Sequence, residues 1–492
     1  MRRSGRGGRS RGVVAALAAA ALLCVVTRGW AQPPVAPASA EPSKDPAQFL
    51  RRPPRPATVK GAFNLVAIGD LLYSHPLASY PDPKLQQAIA LIRTGDVTIG
   101  NKEGVFFDLK AFRGSGYGDG LLWGEAALGA DMRAMGIDMV SVANNHSMDF
   151  GWSGLRDSLH LLDDAGIAYA GGGRSLSEAR QAGYLRTPKG VIALVAAAST
   201  FKPNAGANDA FEDVPARPGI SLLRWRKVNL VTASQMALIR RLATERASPY
   251  EPAPAADARQ VSFGGELYRL ADHAGLHYQM NLYDLAGLLQ AVRVAKRNAN
   301  LVVFTIHTHE TATGEDDDNP QPPDFLIRLA HDVVDAGADV FIGTGIHDLR
   351  GIEIYKGRPV FYGMSSFFIN GEIKMVQESA LQAYADSGGK AAAGSPHKTA
   401  GSKGCYQVRS GGNPRTWYDS MVAVTDFDQG RARTVTIHPL DLGDTCDRSR
   451  RGLPHLAAPA DARRILADLQ SYSAPFGTRI AVDGSVGVIR IP

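Results

Sequence analysis

The chain has 492 residues, 45% of them hydrophobic, and a formal net charge of +6. That length holds one large domain or two ordinary ones, and the apolar fraction suits a globular core. Residues 1–31 carry six arginines and no acid; without them 48 basic residues (54 less six) face 48 acidic ones, which leaves no case for nucleic-acid binding.

The first 31 residues combine an arginine-rich start, an apolar stretch from Val13 to Val26 and the small residues Gly29 and Ala31. This is the pattern of a secretory signal. The apolar stretch is short and alanine-rich for a membrane span. An exported protein is therefore expected, periplasmic or extracellular, membrane-associated only if the leader stays uncleaved. Residues 32–60 are rich in Pro, Ala and Ser and read as a linker. Removal of the leader leaves Cys405 and Cys446, which in an exported protein suggest one disulfide; two unpaired thiols are the alternative.

From "AFNLVAIGD" onward, apolar strands alternate with helix-like stretches. "PKLQQAIALIRT", "EAALGADMRAMG" and "GLRDSLHLLDDAG" read as helices, and "DVTIG", "DMVSVA", "IAYAGG" and "GVIALVAAA" as strands. Later, "LYDLAGLLQAVRVAKRNA" and "DFLIRLAHDVVDAG" are helical, and "NLVVFTIH" and "ADVFIGTG" are strands. Such alternation predicts an α/β layered domain. Two hairpins follow, "GIEIYKGRPVFYG" about Lys356-Gly357 and "WYDSMVAVTDFDQGRARTVTIHPLDLG" with its turn at Asp428 to Gly430. They extend or face the first sheet. Residues 201–281 and 376–416 lack clear periodicity and read as loops or insertions in a domain spanning 61–445. Residues 446–492 form a C-terminal extension of one helix and one hairpin.

Five of the strands end in polar side chains. Gly69-Asp70 follows "FNLVAI"; Asn101 and Glu103 follow "DVTIG"; Asn144, Asn145, His146 and Asp149 follow "DMVSVA"; His307, His309 and Glu310 follow "NLVVFTI"; His347 follows "ADVFIGTGI". Loops at the carboxyl ends of strands in an α/β sheet share one edge, where ligands bind. Asp, Glu, Asn oxygen and His nitrogen are ligands for Zn, Mn or Fe at a mixed N/O site. Each motif alone has an ordinary alternative: "GD" is a common turn, and a single histidine is commonly a satisfied core residue. Their coincidence at equivalent strand ends is what points to a metal. His273 and His277 read as surface residues.

Quoted in order, "VAIGD", "GNKEG", "VSVANNHSMDFG", "FTIHTHE" and "GIHDLRGIEIYKGRPVFYGMSSFF" resemble the motifs of the bacterial capsule synthesis protein CapA family, associated with poly-gamma-glutamate. The resemblance runs from about residue 62 to 372. It implies the fold of the calcineurin-like metallophosphoesterases, a four-layer α/β/β/α sandwich, with one or two divalent metal ions. Metal ligation is implied for Asp70, Glu103, Asn145, His146, His307 and His347, with Asn101, Asn144 and Asp149 orienting them. His309, where the family commonly has a glycine, is either an added ligand or an acid–base group, a role His146 shares. Thr344 stands where the family often has a histidine, and Ser365-Ser366-Phe367 replaces its Gly-Asn-Phe. Arg217 and Arg224 flank "RPGISLLR", and their guanidinium forks suit a polyanion.

Three functions are compatible with these readings. The first is a metal-dependent hydrolase or transferase acting on poly-gamma-glutamate or another anionic envelope polymer. The second is a non-catalytic factor that binds nascent polymer beside a membrane synthase. The third is a phosphodiesterase for small metabolites.

Overall fold

The computed structural model describes residues 58–116, 121–250, 252–314, 319–370, 415–444, 446 and 450–492, with the backbone of 374–375. The leader, nearly all of the linker, almost all of the 376–416 insertion and Cys405 lie outside these residues.

The chain is mixed α/β with several sheets. The strand Ala62–Leu72 occupies the middle of a ten-stranded sheet. On one side it pairs in parallel with Val97–Lys102, which is followed by Met139–Ser141 and Ala168–Ala170. On the other it pairs first with Asp419–Asp428, antiparallel, and then near its end with Ser366–Ile369, parallel. The second predicted hairpin, Asp419–Asp428 and Arg431–Asp441, thus extends this sheet. The terminal hairpin Ala481–Asp483 and Val486–Arg490 continues it to the edge. Both hairpin turns have left-handed pairs, Lys356-Gly357 and Gln429-Gly430, as tight two-residue turns between twisted strands require.

A six-stranded sheet runs Ile352–Tyr355, Arg358–Phe361, Val340–Gly345, Leu301–Thr308, Gly190–Ala198, Gly183–Thr187. Successive side chains of a strand point to opposite faces, and Gly190–Ala198 shows the consequence. Ile192, Leu194, Ala196 and Ala198 join one apolar cluster with Leu65, Ala67, Val303 and Ile342, which links the two sheets. Ala193, Val195 and Ala197 join another with Leu288 and Val292 of helix Leu282–Asn298 and Leu329 and Val333 of helix Asp324–Ala336. The helices Pro83–Ile92, Leu128–Met135 and Gly151–Asp164 bury Leu85, Met132 and Leu159 in the first cluster.

Residues 201–281 are more regular than their sequence suggests. Gln260–Phe263, Glu266–Leu270, Trp225–Val231 and Gly275–Met280 form a four-stranded sheet, covered by helix Ala233–Glu245. Its core is small, built on Val231, Met236, Ala243 and Val261. Most side chains in Trp225–Val231 are only half-buried, so polar Arg226, Lys227 and Asn229 break up the apolar signal. His277 lies on the last of these strands, its Nδ1 2.5 Å from Asp324 Oδ2. Cys446 is buried and disulfide-bonded; Cys405, its expected partner, lies outside the described residues. Among the described residues no helix is long and apolar enough to cross a membrane.

Candidate metal centre

The strand Ala62–Leu72 delivers Asp70 through a local irregularity. Its pairing register shifts beside Asp70 on both flanks, against Val97–Lys102 and against Ser366–Ile369, and such breaks re-aim a side chain. Gly69 permits the close approach this needs, since a Cβ there would sit 1.9 Å from the Ser365 carbonyl oxygen. The Asp70 N–H donates to that same oxygen at 3.1 Å. Asp70 is fully buried and accepts from Gly345 N–H at 2.9 Å and from Asn101 Nδ2 at 2.7 Å. Burial alone raises its carboxyl pKa. His347, His307 and Asn101 beside it outweigh that effect and hold it below the usual range.

The four other strand ends converge on this carboxylate. His307 Nδ1 lies 3.2 Å from Asn101 Nδ2 and 3.5 Å from Thr344 Oγ1, so its Nε2 faces Asn145 Oδ1 at 3.0 Å and His309 Nε2 at 3.2 Å. Burial holds the His307 imidazole well below its ordinary pKa; Asp70 opposes this, and His309, His347 and His146 reinforce it. Asn144 builds the turn: it donates to the Lys102 carbonyl at 2.7 Å and accepts from Ser147 Oγ at 2.9 Å and His146 N–H at 3.1 Å. His146 Nδ1 sits 2.9 Å from Asp149 Oδ2, and its Nε2 is 3.9 Å from Glu103 Oε1. Asp149 also accepts from Leu122 N–H at 2.7 Å and Lys202 Nζ at 2.5 Å. His347 Nδ1 is 3.6 Å from Asp70 Oδ2 and 3.2 Å from Ser366 Oγ. His347 and Ser365 both have φ of 58°, and Ser365 Oγ donates to the His347 carbonyl at 2.7 Å. Strain of this kind at non-glycine residues clusters at functional sites.

Two donor groups emerge. Glu103, His307 and His309 form one, and Asp70, Glu103 and His347 the other; within each the ligand atoms lie within 4.8 Å of one another. Glu103 belongs to both. Five of these six memberships are buried, and the donors are carboxylate and imidazole. That set fits a divalent cation of mixed N/O preference, and a shared carboxylate is the arrangement that joins neighbouring ions. Asp70, Asn101, Glu103, Asn144, Asn145, His146, Asp149, His307, His309 and His347 are thus in one place.

Arg217 and Arg224 are elsewhere, in a cleft of ≈ 700 Å³ that Phe201, Phe211 and Tyr283 also line. Arg224 is held there by Asp284, through Nε at 2.6 Å and Nη2 at 2.9 Å. Arg217 Nε donates to the Gly206 carbonyl at 3.0 Å.

Sequence reasoning missed a further strand end at the site. After Gly190–Ala198 come Ser199, Thr200 and Lys202. Ser199 and Thr200 donate to Glu310 at 2.6 and 2.7 Å, Thr200 Oγ1 also accepts from His309 N–H at 2.8 Å, and Lys202 holds Asp149. The rule that singled out the other ends applies equally to "VAAASTFK". Trp417, whose ring centroid is 4.8 Å from that of His347, had no such signal. Fully buried Lys102 also went unnoticed; burial pushes its ammonium down to about 7, against a weaker pull from Asp149.

Comparison with known proteins places this geometry in a family. The model of the bacterial capsule synthesis protein PGA_cap matches residues 64–371. An uncharacterized protein of Sinorhizobium fredii, y4sH, is 35% identical over 449 residues, covering 88% of this chain and 94% of its own. A probable polyglutamine synthesis accessory protein of Mycobacterium tuberculosis is 26% identical over 240 residues, 47% of this chain and 45% of that one. The PGA biosynthesis protein CapA of Bacillus subtilis is 23% identical over 253 residues, 51% of this chain and 48% of that one. The chain belongs to the bacterial capsule synthesis protein family.

Proposed function

We propose that this capsule-family chain is an exported, metal-dependent protein of hydrolase or transferase type that acts on poly-gamma-glutamate or another anionic envelope polymer during capsule biosynthesis. The observation that carries the reading is the sharing of buried Glu103 between two donor groups. The packing of helices against both sheets is consistent with a four-layer metallophosphoesterase sandwich. Asp70, Glu103, His307, His309 and His347 would hold Mn, Zn or Fe, one or two ions per chain, which would supply Lewis-acid activation of water and substrate.

The chain's own residues do the rest. Asp149 fixes the His146 ring through Nδ1, so that Nε2 is the atom that holds or releases a proton; a base oriented by a third group is the arrangement acid–base chemistry needs. Lys202 and the Leu122 N–H in turn fix Asp149. His309 is the second acid–base candidate. Asn101 orients Asp70 and His307 together. A polymer approaching along the ≈ 700 Å³ cleft meets Arg217 and Arg224. A membrane-bound polymer synthase is the expected neighbour. One observation favours a second reading, a polymer-binding assembly factor: Thr344, near His307, offers a hydroxyl where the family often has an imidazole.

Metal per chain, and release of product from poly-gamma-glutamate and phosphoester substrates, test the reading on the wild type and on Asp70→Ala and His146→Ala. We expect bound metal, metal-stimulated turnover, and loss of turnover in both variants. A wild type that binds no metal and gains no activity with Mn, Zn or Fe overturns the enzyme. Unchanged polymer output from folded variants in cells selects the assembly factor.

A further inference from the structure

We infer that His309 is a metal ligand, and that it makes the two donor groups unlike: a nitrogen-rich pocket of His307, His309 and Glu103 beside an oxygen-rich pocket of Asp70, Glu103 and His347. The inference rests on the metal reading above and chooses between the two roles open to His309.

The geometry of His309 is that of a donor aimed at the centre. Its Nε2 lies 3.2 Å from His307 Nε2. Asn145 Oδ1 at 3.0 Å and Glu103 Oε1 at 4.0 Å approach the same His307 nitrogen. One ring nitrogen and two oxygens gathered within 4.0 Å of this His307 nitrogen are close enough to share one cation with it. His146 is held differently. Its Nδ1 is fixed by Asp149, an acceptor from outside the donor groups. It therefore has the orienting partner a proton-transfer residue requires.

The backbone behind His309 is also braced. Its N–H donates to Thr200 Oγ1, Thr200 donates to Glu310, and Glu310 accepts from Ser199 and Thr308 Oγ1 as well. These contacts fix the main chain from which the His309 ring extends. On the far side of His307, Thr344 places a hydroxyl 3.5 Å from Nδ1 and contributes no imidazole. His309 directly follows the strand Leu301–Thr308, which pairs with Val340–Gly345, the strand that carries Thr344.

The two pockets then differ in taste. Imidazole suits Zn, Fe, Ni and Cu, whereas carboxylate suits Mn and Mg. The pocket with two imidazoles and one carboxylate takes a Zn-type ion. The pocket with two carboxylates and one imidazole takes a Mn-type ion.

The test strips the full chain of metal, reloads it with Zn, Mn or both, and reads metal per chain by elemental analysis, with Co absorption spectra as a second readout. With Mn in large excess, which offsets the tighter binding of Zn to any N/O site, we expect the wild type to hold one Zn and one Mn from the mixture. His309→Ala should keep the Mn equivalent and bind Zn at least ~100-fold more weakly. His309→Asp, which restores a ligand of the other class, should recover the second equivalent with preference shifted toward Mn. Circular dichroism checks that each variant folds. His309→Ala that retains both ions with unchanged Zn affinity overturns the inference and leaves the metal reading standing. A wild type without metal overturns both.

Discussion

Replacing Gly69 by alanine tests whether the close approach of two strands sets the centre. The new Cβ would meet Ser365 O at 1.9 Å, Ser365 C at 2.7 Å and Met364 O at 3.1 Å, all main-chain atoms that no rotamer change can move aside. The strands Ala62–Leu72 and Ser366–Ile369 would have to part by about an ångström or more. Beside the ladder bonds of the paired strands, two main-chain hydrogen bonds bridge this gap, Asp70 N–H to Ser365 O at 3.1 Å and Asn370 N–H to Leu72 O at 3.0 Å. Losing them costs about 1 kcal/mol each, and overpacking adds ~1–3 kcal/mol, for roughly 4 kcal/mol in total. Unfolding entropy scales with chain length, so in a domain of ~430 residues this is a fall in Tm of about 4 °C. Asp70 moves with the strand and loses the Gly345 N–H, so bound metal should fall as well. Thermal melts and elemental analysis of Gly69→Ala read both effects. Gly275→Ala is the control, because nothing lies within 4 Å of a Cβ there. A variant that melts within ~1 °C of the wild type and keeps its metal would refute the reasoning.

Asp82 caps helix Pro83–Ile92 by accepting from Lys84 N–H at 2.8 Å and Leu85 N–H at 3.2 Å, with Arg450 3.1 Å away. Asp82→Ala should cost about 1–2 kcal/mol at neutral pH. Burial raises the Asp82 pKa, but those N–H groups, His455 and Arg450 pull it below the usual value. Its contribution is therefore complete above the unfolded pKa of ~3.9 and lost as pH falls through the depressed folded value; denaturant titrations of wild type and variant should converge in acid, and a gap constant down to about pH 2 contradicts this. Asp284 binds Arg180 at 2.7 Å and Arg224 at 2.6 Å. Asp284→Asn should destabilise by roughly 2 kcal/mol, discounted for the exposed Arg224 side, and should tighten salt-sensitive binding of poly-gamma-glutamate by freeing positive charge in the cleft. Weaker binding in a folded variant excludes the cleft as a polyanion path.

The alternation of strand and helix, the two hairpin turns and the apolar core were legible because their signals are local: a period of two or 3.6, and residues that tolerate left-handed backbone. Polar residues such as Asp70, Asn145, His146 and His307 stood out for the same reason, each interrupting a buried run. The strands of residues 201–281 were illegible because they are only half-buried and their alternation is diluted by charge. Convergence is not a local property. Only the packed sheets set Glu103 between two donor groups, turned His309 toward His307 rather than toward solvent, brought Trp417 against His347, and set Arg224 on Asp284 instead of leaving it free. A side chain's partners across the fold depend on register, bulges and sheet packing, and these are settled by the whole core at once.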